Sequence, residues 1–156
     1  MRTMVVPLAL LAAVLLLSGC SQKPSEAELL KSATFHHGND DFDAALADFQ
    51  QFTQLYPKSS KMPEALYAMA IIYQNEKKEF ARAESLYTKL AMEYPGEATA
   101  QGASYQRARI LAWNLHKPDS ARVAYQLFLQ RYPDVYAASS AKQELDSLNA
   151  TFPPGK

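Results

Sequence analysis

Counting back from Pro57, Pro95 and Pro133 finds the same ladder of apolar positions three times. It reads Ala45, Phe49, Phe52, Tyr56; then Ala83, Tyr87, Leu90, Tyr94; then Ala121, Tyr125, Phe128, Tyr132. Steps of four, three and four put each set on one stripe of an α-helix. Proline then stops the helix, because the residue before it is driven out of the α region. The Tyr-Pro dipeptides are spaced by 38 residues both times, which marks an internal repeat. An aromatic stripe can also signal a cofactor box, but the same stripe in one register three times reads as core.

A second helical segment lies between the ladders. Leu66, Met69, Ala70 and Tyr73 make one apolar face, and Ser104, Ala108, Leu111 and Leu115 make its counterpart. The first copy, Glu26 to His37, carries a thinner set: Leu29, Leu30, Ala33 and Phe35. Ser25 and Glu28 have capping-box spacing, which predicts a helix start near residue 26. Polar turns follow at 38–41, 75–78 and 116–119, and a last amphipathic segment runs from Ala137 to Asn149 with Ala137, Ala141, Leu145 and Leu148 on one side. Nothing after residue 20 alternates with period two, so the predicted class is all-α. Helix pairs of this size cannot bury their apolar faces alone and must stack, with the last helix as a half-wet cap.

The pattern resembles the tetratricopeptide repeat. The small residue that opens the family's second helix falls on Ala45, Ala83 and Ala121, its aromatic on Phe49, Tyr87 and Tyr125, and its closing proline on Pro57, Pro95 and Pro133. The family's small residue in the first helix is matched by Ala70 and Ala108, and the aromatic that follows by Tyr73. The period is 38 rather than 34, Phe52, Leu90 and Phe128 stand where a small residue is usual, and Arg107 stands at a usually apolar position. The resemblance implies a right-handed solenoid of three helix pairs plus a C-terminal capping helix, over residues 26–149, with 150–156 as a disordered tail.

The N-terminus is of a different kind. Arg2 precedes a thirteen-residue apolar run from Val5 to Leu17, the length of a secretory leader and short of the ~20 residues of a membrane span. Leu17-Ser18-Gly19-Cys20 resembles the bacterial lipobox at all four positions, and Cys20 is the single cysteine of the chain. That resemblance implies removal of residues 1–19, lipid on Cys20, and a short linker over 20–25. Ser21, in place of the aspartate that signals inner-membrane retention, implies the outer membrane, facing the periplasm. With one cysteine no internal disulfide is possible, so stability in an oxidising compartment must come from packing.

Tyr56-Pro57-x-Ser59-x-x-x-Pro63-x-Ala65-x-Tyr67 is similar to the repeats of two envelope families. One is the outer-membrane assembly lipoprotein family BamD; the other is the C-terminal domain of the Tol-Pal-associated family YbgF. Leader, lipobox, short linker and immediate repeats are a BamD-like layout, although the chain is shorter than a typical member. The resemblance implies a scaffold that holds other envelope proteins. A YbgF-type binding module or a secretin pilotin are the alternatives.

Charge excludes some partners. Sixteen basic and sixteen acidic residues leave no surplus for a nucleic-acid face. An enzyme reading has to rest on His36-His37 with Asp40, Asp41 and Asp43, as a divalent-metal site. Adjacent residues on a helix diverge by about 100°, however, and aspartates at a helix start are explained by capping and the dipole. Asn39 to Asp43 also lacks the glycine and distant glutamate of a calcium loop. No nucleophile–base motif or phosphate loop accompanies the cluster. The expectation is therefore no catalysis, no cofactor, no metal and no small-molecule substrate.

In tetratricopeptide folds the first helix of each pair lines the concave groove. Anchored on Ala70 and Ala108, that register selects Tyr67, Gln74 and Asn75 from the second pair, and Tyr105, Arg109 and Trp113 from the third. Tyrosine, tryptophan and arginine carry much of the energy at interfaces. The competing expectation for Tyr67 and Trp113 is packing between helices. Arg109 is expected to pair with a carboxylate of the partner.

Overall fold

The computed structural model describes residues 23–153, so the leader, Cys20 and Ser21 lie outside the described residues, as do 154–156. Seven α-helices follow in order: α1 Glu26–Gly38, α2 Phe42–Leu55, α3 Met62–Asn75, α4 Phe80–Glu93, α5 Ala98–Arg109, α6 Pro118–Arg131 and α7 Tyr136–Thr151. No strand occurs among the described residues. Each helix packs chiefly on its neighbours in sequence, and the first helices α3 and α5 also touch directly. This is an all-α solenoid of three helix pairs closed by α7.

The ladder residues form the core. Ala45, Ala83 and Ala121 have no exposed surface, and Phe49, Tyr87 and Tyr125 are buried beside them. Alanine lets the paired helix approach closely, and the ring one turn on fills the space between pairs. Each second helix ends the same way, on Tyr56, Tyr94 or Tyr132, with φ of −127° to −130° and ψ of 49° to 59°. The tyrosine N–H still donates to the carbonyl four residues back, while the proline ring blocks a further turn.

The turn within each pair carries a feature the residue types do not announce. Asp40, Lys78 and His116 all adopt left-handed backbone, with φ of 59°, 55° and 51°. They are 38 residues apart and none is glycine. The hydrogen bond that closes the turn runs from Asp41 N to His36 O, from Glu79 N to Tyr73 O, and from Lys117 N to Leu111 O. The first of these loops is one residue shorter than the other two. In the third pair the extra residue is absorbed as a π turn, Ile110–Asn114, that extends α5.

That difference sets the register of α1. Ala33, Ala70 and Ala108, all fully buried, are spaced by 37 and then 38 residues. Leu30 is therefore the counterpart of Tyr67 and Tyr105, and Thr34 that of Ile71 and Arg109. The predicted capping box is present: Glu28 N donates to Ser25 Oγ, and Ser25 N to Glu28 Oε2.

The C-terminal boundary differs from expectation. Residues 150 and 151 continue α7, and Arg122 grips the end of the chain by donating to Asn149 Oδ1 at 2.7 Å and to the Phe152 carbonyl at 2.8 Å. An arginine reaching across from α6 orders what local composition alone reads as tail.

Two stability outcomes follow. Tyr87→Ala removes a fully buried ring with a repeat on either side, so it should cost about 3–5 kcal/mol in urea unfolding; a change under 1 kcal/mol contradicts this packing. Lys78 is exposed and makes no ion pair among the described residues, so Lys78→Gly should stabilise by about 0.5–1 kcal/mol through relief of the left-handed backbone.

Candidate functional site

The sequence singles out one face, the expected concave groove of the first helices, and the structure divides its six residues into two groups. Asn75 and Trp113 are exposed, Trp113 at 39% despite its size. The other four make contacts inside the molecule. Tyr67 stacks on Tyr87 with ring centroids 5.8 Å apart, and Gln74 Oε1 accepts the Tyr87 hydroxyl at 2.9 Å. Tyr67 also lies against α5 at Gly102, where the Cβ of any other residue would stand 3.0 Å from its hydroxyl oxygen. Glycine at 102 is thus what lets that ring lie between α3 and α5.

Tyr105 and Arg109 converge on a carboxylate supplied by this chain. Glu144, on α7, accepts the Tyr105 hydroxyl at 2.9 Å and approaches Arg109 Nε at 3.3 Å through one oxygen. Its other oxygen accepts the buried Tyr125 hydroxyl at 2.6 Å. The Arg109 guanidinium also sits 5.8 Å from the Tyr105 ring centroid. Three donors from α5 and α6 thus hold one carboxylate of the cap. Arg109 was expected to await a partner's carboxylate; in the structure Glu144 already faces it. Nothing local to α7 marks Glu144, but extending the 38-residue register from Gln106 lands on it.

Burial raises the hydroxyl pKa of Tyr67, Tyr87, Tyr105 and Tyr125 above the usual tyrosine value, because a phenolate there loses its hydration. At Tyr105 and Tyr125 the hydrogen bond to Glu144 and its negative charge push the same way.

The histidine–aspartate cluster is dispersed. His36 Nδ1 lies 2.9 Å from Asp48 Oδ2, while the His37 ring meets Phe42 edge-on. Asp41 caps α2, Asp43 pairs with Lys77, and Asp40 occupies the left-handed turn. Among the described residues no three His, Cys, Asp or Glu side chains come together as a metal would require.

At the other end of α1 the chain is tied down within the segment expected as linker, 20–25. The Tyr56 hydroxyl donates to the Pro24 carbonyl at 2.7 Å, and Lys23 Nζ donates to the Leu55 carbonyl at 3.2 Å while lying over the Tyr56 ring. Ser59 and Glu26 are joined by a further hydrogen bond. Lys23 and Pro24 are thus held against the Tyr56 corner.

Helix pairs stacked on small residues and rings define a repeat solenoid, a class that works by presenting surface to other proteins. A family model described as tetratricopeptide repeat matches residues 26–59, 64–96 and 103–134, one match per helix pair. The chain belongs to the tetratricopeptide-repeat family. No curated protein matches it closely enough to name a relative.

Two outcomes test this site. All four tyrosines have folded pKa values above the unfolded one, so their contribution is complete below about pH 10 and is lost as pH rises beyond it. Urea midpoints should hold from pH 8 to 9.5 and then fall, and more shallowly in the Tyr87→Phe/Tyr125→Phe double variant. Glu144→Ala leaves two hydroxyls and a guanidinium without their acceptor and should cost about 2–3 kcal/mol; hydrogen exchange should show α7 opening first.

Proposed function

We propose that this protein is a lipid-anchored scaffold of the outer membrane that faces the periplasm and holds other envelope proteins, most like a BamD-type β-barrel assembly lipoprotein. The observation that carries the reading is the join between the anchor motif and the repeats. Cys20 ends the lipobox-like Leu17–Cys20, and only Ser21 and Gln22 separate it in sequence from Lys23, which is held against the Tyr56 corner. Three virtual bonds reach at most about 10 Å, so a lipid on Cys20 holds the Tyr56 corner close to the bilayer. A solenoid so tethered is suited to gathering partners on its first-helix face. Two or three acyl chains anchor stably where one does not.

Cys20→Ala should move the protein from the membrane fraction to the soluble periplasmic fraction; a variant that still sediments with outer membranes at high salt rejects the lipid anchor. Affinity capture from detergent-solubilised envelopes should then recover β-barrel assembly components. Recovery of Tol-Pal components, or of a secretin, assigns the scaffold to those systems instead.

A further inference from the structure

The outer walls of the second helices differ between copies at a position the fold leaves free. Gln54 on α2, Met92 on α4 and Gln130 on α6 are 38 residues apart, and all three are exposed. Two copies thus carry an amide where the middle one carries a thioether. Met92 is 75% exposed, whereas Met62 and Met69, the other methionines among the described residues, are buried at 3% and 6%. Met92 lines a groove between α4 and α6 together with Phe128 and the exposed Leu127. Between α2 and α4 the places of Met92 and Leu127 are taken by Gln54 and Lys89, so the repeat does not require apolar side chains there. Arg107 and Arg131 line the same groove. Arg107 donates from Nε to Glu84 at 2.9 Å, and the Arg131 guanidinium lies 6.0 Å from the Tyr132 ring centroid.

We propose that Met92 is an oxidation site, at which a hydroperoxide makes this groove polar while the fold stays intact. The sulfur lone pair takes one oxygen of hydrogen peroxide and the O–O bond breaks; the proton on the transferred oxygen passes to the departing hydroxide. Sulfur is oxidised by two electrons, and the peroxide is reduced to water. Susceptibility follows access to the sulfur, which singles out Met92. Tolerance follows from the repeat. A methionine sulfoxide carries its oxygen on the δ atom, as glutamine does, and glutamine stands at this place in the other two copies. The new oxygen is a hydrogen-bond acceptor, and Arg107 and Arg131 bring donors to the same groove. At Met62 and Met69 the same oxygen would enter the apolar core, which is costly. The site goes beyond the scaffold reading and depends on neither the membrane anchor nor a partner.

The test treats the full chain, purified in peroxide-free detergent, with hydrogen peroxide, both folded and in urea, and follows each methionine by peptide mapping. Trypsin places Met92 in peptide 90–107 and both Met62 and Met69 in 62–77, where fragment ions separate them. In the folded chain Met92 should oxidise at least about tenfold faster than either buried methionine, and in urea the three rates should converge to within about twofold. The chain oxidised at Met92 alone, and the unoxidised Met92→Gln variant, should each melt within about 2 °C of the parent. Met62 or Met69 oxidising as fast as Met92 in the folded chain overturns the proposal. Selectivity that persists in urea also overturns it, because local sequence and not the fold would then set the rate. A melting temperature lowered by more than about 5 °C, in either the Met92 sulfoxide or Met92→Gln, rejects the claim that the fold accepts the oxygen.

Discussion

A ring set one helical turn beyond a buried alanine holds each pair of helices to the next: Phe49 beyond Ala45, Tyr87 beyond Ala83, Tyr125 beyond Ala121. Everything else in the molecule depends on that contact. A helix pair has too little apolar surface to stand alone, and stacking supplies the missing burial at each junction. The alanine fixes how close the helices come, and the ring fixes what fills the gap.

The junctions share geometry but not polarity. The first is apolar, with Phe49 facing Ala65 and Ala68. The second introduces tyrosines and amides, with the Tyr87 hydroxyl satisfied by Gln74. The third ends in a carboxylate held by two tyrosines and an arginine. A buried hydroxyl without a partner is costly, and Tyr87, Tyr105 and Tyr125 each have a polar acceptor within the fold. The polar junctions are therefore joints specified by hydrogen bonds, whereas the apolar one is held by packing alone. Local sequence change has diversified a repeated frame without disturbing the frame itself.

Both ends of the described residues are held by contacts across the fold. The Lys23–Ser25 segment is bound to the Tyr56 corner, and α7 is locked by Glu144 and Arg122. Side chains that a helix-face argument assigns to a partner, Tyr105 and Arg109 above all, have contacts within the fold, while Leu30, read from the sequence as one of the apolar residues of α1, lines an open groove. Surface position alone is a poor guide to a free surface in a solenoid, because the face of one repeat is the docking site of the next.

The amino-acid sequence by itself determined the helices, their number, their order and the repeat they form. These rest on local rules: a stripe of apolar residues at three- and four-residue steps, a capping box at Ser25 and Glu28, and prolines that end each second helix. The 38-residue period of the tyrosine–proline pairs then makes stacking unavoidable. Tertiary structure decided what no local rule reaches. The α1 register shifts by one residue because Ala33 must meet the core while its turn is shorter; a non-glycine residue takes left-handed backbone in every pair because the turn must close; residues 150 and 151 are helical because Arg122 holds the chain beyond them. Glu144 binds Tyr105, Arg109 and Tyr125 from 19 to 39 positions away, and such a meeting is set by how helices pack, which a one-dimensional pattern does not encode.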